Sequence, residues 1–182
     1  GIHTGPVVAG GRVVVIHRLN DDLVVDCLDA STGGELWSRR EPMKFKDGAF
    51  FDNGPRPTPA IADGRVVVHN TDGHLFAFDL KDGRRQWVVR TRSQFGSGGT
   101  WHGSTGSPLI QDGRVFVNVG GTNKGGVVAF DLRTGGVVWQ ATDDKPTCSS
   151  PIVATLAGQP QLLQLTRSGL VSLNPATGAE NW

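Results

Sequence analysis

Only two of the 182 residues are cysteines, and tyrosine is missing altogether. Cys27 and Cys148 stand 121 positions apart, which matches no metal-ligand or redox spacing. Neither sign of charge dominates: 18 Lys and Arg face 17 Asp and Glu, for a net charge of +1. That excludes the broad basic field a nucleic-acid partner would require. No uninterrupted apolar run approaches the ~18 residues of a membrane-spanning helix. The chain opens on Gly1 without a charged and apolar leader pattern, which reads as a processed or cut start. Glycine is abundant instead, at 26 residues, with 10 prolines; together they make about a fifth of the chain, well above the usual share. The glycines follow no three-residue period, which excludes collagen. Enough Val, Leu, Ile and Phe remain to bury a core.

The chain repeats itself. Four of its five tryptophans close near-identical segments: LDASTGGELW (28–37), FDLKDGRRQW (78–87), FDLRTGGVVW (130–139) and LNPATGAENW (173–182). Upstream, each copy begins at a proline, and Pro-to-Trp spacings are 31, 28, 31 and 31 positions. About 45 residues per copy is the period of propeller blades. Each copy divides into four β-rich pieces; in the third they are PLIQ, RVFVNV, GVVAFDL and GVVWQAT. The first break is an Asp-Gly-Arg type turn, where Gly takes positive φ in a tight hairpin. The last break is Asp-x-x-Thr-Gly or a close variant, in which the Asp or Asn side chain accepts from backbone amides ahead of it. No stretch holds a 3.6-residue period. The expectation is all-β: a β-propeller of four-stranded antiparallel blades, at approximately 5–37, 58–87, 107–139 and 150–182, forming one segment over 1–182.

The alignment of copies gives plain structural readings to several residues. Cys27 occupies a small-residue position shared with Ala77, Ala129 and Ser172, so it reads as packing. Asp29, Asp79, Asp131 and Asn174 read as turn formers. Trp37, Trp87, Trp139 and Trp182 read as packing between blades, because all four repeat one place.

These residues and spacings resemble the tryptophan-docking repeat of the pyrroloquinoline quinone (PQQ)-type propellers, roughly SPxxxDGxVxVxxxDGxLxAxDxxTGxxxW. The second copy, TPAIADGRVVVHNTDGHLFAFDLKDGRRQW, follows it closely, and the resemblance covers nearly the whole chain. That repeat is shared by PQQ-dependent alcohol dehydrogenases, by the non-enzymatic lipoprotein of the outer-membrane β-barrel assembly machinery (BamB), by exported repeat proteins and by sensor domains of membrane kinases. The resemblance implies rings of seven or eight blades, so four blades make about half a ring. The ring would be completed by further blades of a longer chain or by a second copy; a small closed four-blade ring is the third option. An extracytoplasmic address, in the periplasm or at the outer membrane, is implied by the resemblance alone.

In a meander of this kind the first-to-second and third-to-fourth turns share one face, and the remaining connections share the other. The connections on the second face are long: 22 positions from Trp37 to Pro59 and 21 from Trp87 to Pro108, against 12 from Trp139 to Pro151. Insertions on one face of a repeat array mark a binding face. Counting back six from each proline aligns Asn53, His102 and Lys145; counting back three aligns His3, Arg56, Thr105 and Cys148. Trp101 is the one tryptophan outside the repeat. Asn53, Arg56, Trp101, His102 and Lys145 are therefore the candidate binding residues at the mouth of the central channel, for a protein, peptide or glycan partner.

Two functions compete. The resemblance to the dehydrogenases implies a quinone clamped between a Trp and a disulfide of adjacent cysteines, Ca²⁺ on oxygen ligands, and an Asp base. This chain has no Cys-Cys pair, and its carboxylates near the mouth (Asp47, Asp52, Asp143, Asp144) are ordinary loop residues. The favoured expectation is a non-catalytic binding or scaffold module with no catalytic residue, metal or cofactor; PQQ and Ca²⁺ enter only under the enzymatic alternative. A sensor domain of a membrane kinase is the third reading.

Overall fold

Val-rich segments separated by two-residue breaks fold as consecutive hairpins. The computed structural model describes residues 4–46, 53–98 and 100–182; His3, Asp47 and Asp52 lie outside them. Blade 1 contains β1 (Val7–Ala9), β2 (Arg12–Leu19), β3 (Asp22–Asp29) and β4 (Glu35–Pro42), and blade 2 contains β5 (Ala60–Ala62), β6 (Arg65–His69), β7 (His74–Asp79) and β8 (Arg85–Arg90). After a short helix, α1 (Thr91–Phe95), blade 3 contains β9 (Leu109–Gln111), β10 (Arg114–Asn118), β11 (Val127–Asp131) and β12 (Val137–Ala141). Blade 4 contains β13 (Ile152–Leu156), β14 (Gln159–Leu165) and β15 (Leu170–Leu173). Every pairing is antiparallel between chain neighbours, so each sheet is a meander. The short strands β1, β5 and β9 lie side by side and set the inner edge of the arc. In blade 4 the outermost strand is reduced to the Leu173–Glu180 bridge and two backbone bonds, Ser172 N to Trp182 O and Asn181 N to Ser172 O.

The first hairpins use two consecutive positive-φ residues: Gly10-Gly11, Asp63-Gly64, Asp112-Gly113 and, in blade 4, Ala157-Gly158. This twist matches that of the flanking strands. The Asp-x-x-Thr-Gly turns close as Asx turns. Asp29 Oδ1 accepts from the amides of Ser31 and Thr32, Asp79 from Lys81, Asp131 from Arg133 and Thr134, and Asn174 from Ala176 and Thr177. With the Ser31 hydroxyl as the largest contribution and the Thr32 donors next, Asp29 is held down to about 2.

A β-bulge recurs between Cys27 and Leu28, between Ala77 and Phe78, and between Ala129 and Phe130. It lies opposite the tryptophan each time, and a bulge re-aims a side chain. Each indole then crosses to the next blade. Trp37 Nε1 donates to Leu80 O at 3.0 Å, Trp87 Nε1 to Leu132 O at 3.0 Å, and Trp139 Nε1 to Pro175 O at 3.1 Å. The rings rest on Gly83, Gly135 and Gly178, where a Cβ would come within 2.6, 2.8 and 2.6 Å of an indole carbon. Only glycine admits that approach, and all three already hold positive φ. Trp182 differs: it is 54% exposed, and its indole meets no acceptor among the described residues.

Three apolar clusters fill the gaps between successive blades. The first joins Val14, Ile16, Val25, Cys27 and Trp37 of blade 1 to Val66, Val68, Phe76 and Phe78 of blade 2. The second joins blades 2 and 3, and the third joins Phe116, Val127 and Trp139 to Leu162 and Leu173. The unforeseen element is α1. It ends on Gly96 in the left-handed region and is anchored by Phe95, buried edge-on against Phe130 at 5.9 Å. One turn of helix is too short to print a period in the sequence.

Candidate functional site: the long-loop face

The linkers between blades, together with the turns after β2, β6, β10 and β14, make one face, and its backbones are stapled by side chains. Arg18, at the end of β2, donates Nη1 to Phe45 O at 2.6 Å and to Asn53 O at 2.9 Å, while Nη2 pairs with Asp21 Oδ1 at 2.8 Å. Arg56 Nη1 donates to His102 O at 2.7 Å, and its guanidinium lies over the Phe45 ring at 5.9 Å. The amide of Lys44 bonds Asp72 Oδ2 at 2.7 Å, and Ser104 N bonds Thr71 O at 3.0 Å. The residues just before the blade prolines form a chain of their own: Thr58 N donates to Ser107 Oγ, and Ser107 N to Ser150 Oγ, both at 2.9 Å. The Arg18 and Arg56 bonds to carbonyls are charge-assisted and so among the stronger ones. The face is a braced platform.

Beneath it, β6 and β10 end in buried polar residues. His69 is sealed from solvent, with Nδ1 3.5 Å from Gly106 O and Nε2 without a partner. Desolvation, the largest cause, pulls its pKa down to about 4, so the ring is neutral at physiological pH. Asn118, at the same place in blade 3, donates Nδ2 to Thr147 Oγ1 at 2.8 Å. Both residues tie a strand end to the following linker.

Of the sequence candidates, the structure brings Arg56 and His102 together, through the His102 backbone carbonyl. It brings Asn53 to Arg18, again through a carbonyl. Lys145 stands exposed on the third linker, and no hydrogen bond joins its side chain to the other four candidates. Trp101 is 79% exposed. Its loop is nonetheless fixed: Thr100 Oγ1 donates to Gly103 O at 2.6 Å and accepts from His102 N at 3.1 Å. Arg18 and His69 escaped the sequence reading, which counted only along the linkers. A signal existed, since His69 and Asn118 replace the apolar Ile16 of the first copy at one aligned position.

Grooves also lie between successive blades. A groove of about 600 Å³ separates blades 1 and 2, floored by Phe76 and Val88 and rimmed by Glu41, Asp72, His74 and Arg90. Across it, Arg85 Nη1 contacts both Glu41 carboxylate oxygens, at 2.8 and 2.6 Å. Burial lowers the His74 pKa. Smaller grooves repeat between blades 2 and 3 and between blades 3 and 4.

The cofactor the repeat implies does not fit these residues. Among the described residues no three His, Cys, Asp or Glu side chains converge as ligands for a cation. Cys27 is buried between blades 1 and 2, and Cys148 is exposed, so the two cannot form a vicinal disulfide over a quinone.

The docked indoles, glycine sockets and radial meanders define an arc of a PQQ-type β-propeller. The family model described as outer membrane protein assembly factor BamB matches residues 1–147 and 98–182, and the chain belongs to that family. It is also similar to the dehydrogenase subunit of alcohol dehydrogenase (quinone) from Komagataeibacter europaeus, at 34% identity over 142 residues, 74% of this chain and 19% of that one. Among solved structures, BamB from Moraxella catarrhalis shares the fold with a TM-score of 0.65 at 20% identity, over 97% of this chain and 50% of that one. The quinohemoprotein alcohol dehydrogenase of Comamonas testosteroni matches with a TM-score of 0.71 at 21% identity, over 100% and 34%. The chain spans about a fifth of the length of the curated relatives it matches. No helix among the described residues is long and apolar enough to cross a membrane.

Proposed function

We propose that this chain is a non-catalytic binding module, working outside the cytoplasm, that holds a segment of a partner protein against its long-loop face. The observation that carries the reading is Trp101. A large apolar ring held in solvent on a braced loop is the residue type and setting of an interface anchor. The groove between blades 1 and 2 supports it, with an apolar floor and a charged rim beside β8, whose outer edge no strand covers among the described residues. An extended segment can pair with such an edge. The family's description as an assembly factor agrees with a protein partner.

The test is selection of binders from a random peptide library displayed on phage. Trp101→Ala should weaken the selected peptides by roughly tenfold or more with no change in melting temperature. Equal binding by Trp101→Ala would remove the loop face from the reading. A second reading, a set of blades from a quinone-dependent alcohol dehydrogenase, is favoured by the 34% identical relative of that name. Retention of stoichiometric PQQ after incubation with Ca²⁺ and desalting, with dye-linked alcohol oxidation, would install it in place of the first.

A further inference from the structure

The first hairpins of blades 1 and 2, turning at 10–11 and 63–64, and the Asx turn 79–84 of blade 2 enclose a groove of about 550 Å³. It lies on the short-turn face, opposite the stapled linkers. Four cations line it: Arg12 and Arg65, which open β2 and β6 at equivalent places, and Lys81 and Arg84 on the turn. None of the four pairs with a carboxylate among the described residues. Asp79 Oδ1 accepts from the backbone amide of Lys81 and Asp82 Oδ1 from that of Arg84, both at 2.8 Å, rather than from the charged heads. Arg65 reaches only the Asp63 carbonyl, at 3.4 Å, and the Nε–H groups of Arg12 and Arg65 are buried without an acceptor. Other arginines are used differently. Arg39 donates to the carbonyls of Ser38, Asp82 and Gly83, and Arg85 clasps Glu41. A buried guanidinium N–H without an acceptor costs free energy, and an anionic oxygen in the groove would satisfy it.

The fold does not ask for this charge. Where blade 2 has Lys81 and Arg84, blade 1 has Ser31 and Gly34, blade 3 has Arg133 and Gly136, and blade 4 has Ala176 and Ala179. All four turns close through the same Asx bonds, so a cation at both places serves neither the turn nor the docked indole. Against the four cations the groove sets the carboxylates of Asp63 and Asp79, leaving two positive charges in excess. A phosphomonoester carries close to two negative charges at neutral pH and matches that excess. Guanidinium forks also suit phosphate oxygens in shape. The two carboxylates can accept from hydroxyl groups, and the volume is that of a small-molecule site.

We propose that this groove binds a phosphorylated polyol, with its phosphoryl group between the arginines and its hydroxyls on Asp63 and Asp79. Free sugar phosphates and phosphorylated lipid headgroups share that chemistry. The site uses no residue of the loop face and survives the failure of that reading.

Calorimetric titration of the 182-residue chain with glucose 6-phosphate tests the free form. Cosedimentation with phosphatidylcholine vesicles containing phosphatidylinositol 4-phosphate tests the lipid-borne form. Binding should appear in at least one arm and weaken as salt rises. The double variant Lys81→Ser, Arg84→Gly gives blade 2 the residues of blade 1. It should weaken that binding about tenfold or more with an unchanged melting temperature. Arg167→Ser removes a cation from the turn between β14 and β15, on the other face, and should leave binding as it was. Inorganic phosphate should bind more weakly than glucose 6-phosphate. Failure in both arms overturns the proposal, as does equal binding by the double variant. An equal loss in Arg167→Ser, or inorganic phosphate as tight as the sugar phosphate, would mean unspecific anion attraction and overturns it too.

Discussion

Blades 2 and 3 are each packed on both sides, while blades 1 and 4 are packed on one. The same sequence position therefore has different physics along the chain. One aligned place in the second strand of each blade holds Ile16, His69 and Asn118, all buried, and then exposed Leu165. The fourth motif indole stands half in water while Trp37 and Trp139 are buried. A repeat dictates what a residue can pack against, but the neighbouring blade decides whether it does.

The largest test of that contrast is truncation of the indoles. Trp139→Ala should cost on the order of 3–5 kcal/mol as a large-to-small core change, measured by urea unfolding. Trp182→Ala should cost under about 1 kcal/mol. Equal losses would erase the distinction between inner and end blades.

The next test uses His69. Its folded pKa lies below the unfolded value of 6.5, at about 4. Above pH 6.5 both states are neutral and its contribution is full. As pH falls toward 4 the unfolded chain takes up a proton that the native state refuses, so stability drops, by roughly 3 kcal/mol at the limit. His74 is shifted in the same direction and adds to the slope. His69→Asn, copying blade 3, should flatten most of the decline across pH 6.5–4; an unchanged slope would place the titrating group elsewhere.

A matched glycine pair sharpens the comparison further. Gly135→Ala and Gly33→Ala suffer the same left-handed strain, about 1–2 kcal/mol. Only the first also drives a methyl into an indole, so it should lower the melting temperature several degrees more. The smallest effect is expected at Trp101→Ala, within about 0.5 kcal/mol by thermal unfolding, since the ring touches water.

Much of the fold was legible because its determinants are local and repeated. Asp-Gly pairs fix hairpins, Asx turns need only their own amides, and the tryptophan spacing gives the blade period. The candidate site was legible only in part. Counting back from the prolines put Arg56 and His102 in separate rows, and the bond between them runs to a backbone carbonyl rather than the imidazole. Arg18 reaches residues 27 and 35 positions away, a distance no linker count registers. The grooves belong to pairs of blades and have no signature within a single copy. The α1 turn is held by Phe95, whose partner Phe130 lies in the following blade.

The docking of three indoles and the exposure of two give the molecule an optical signature. Trp37, Trp87 and Trp139 donate their ring N–H to carbonyls inside the protein, whereas Trp101 and Trp182 emit from water. Acrylamide should thus quench the fluorescence in two components, a protected one from Trp37, Trp87 and Trp139 and an accessible one from Trp101 and Trp182. The chain carries its own reporter of which blade faces are covered.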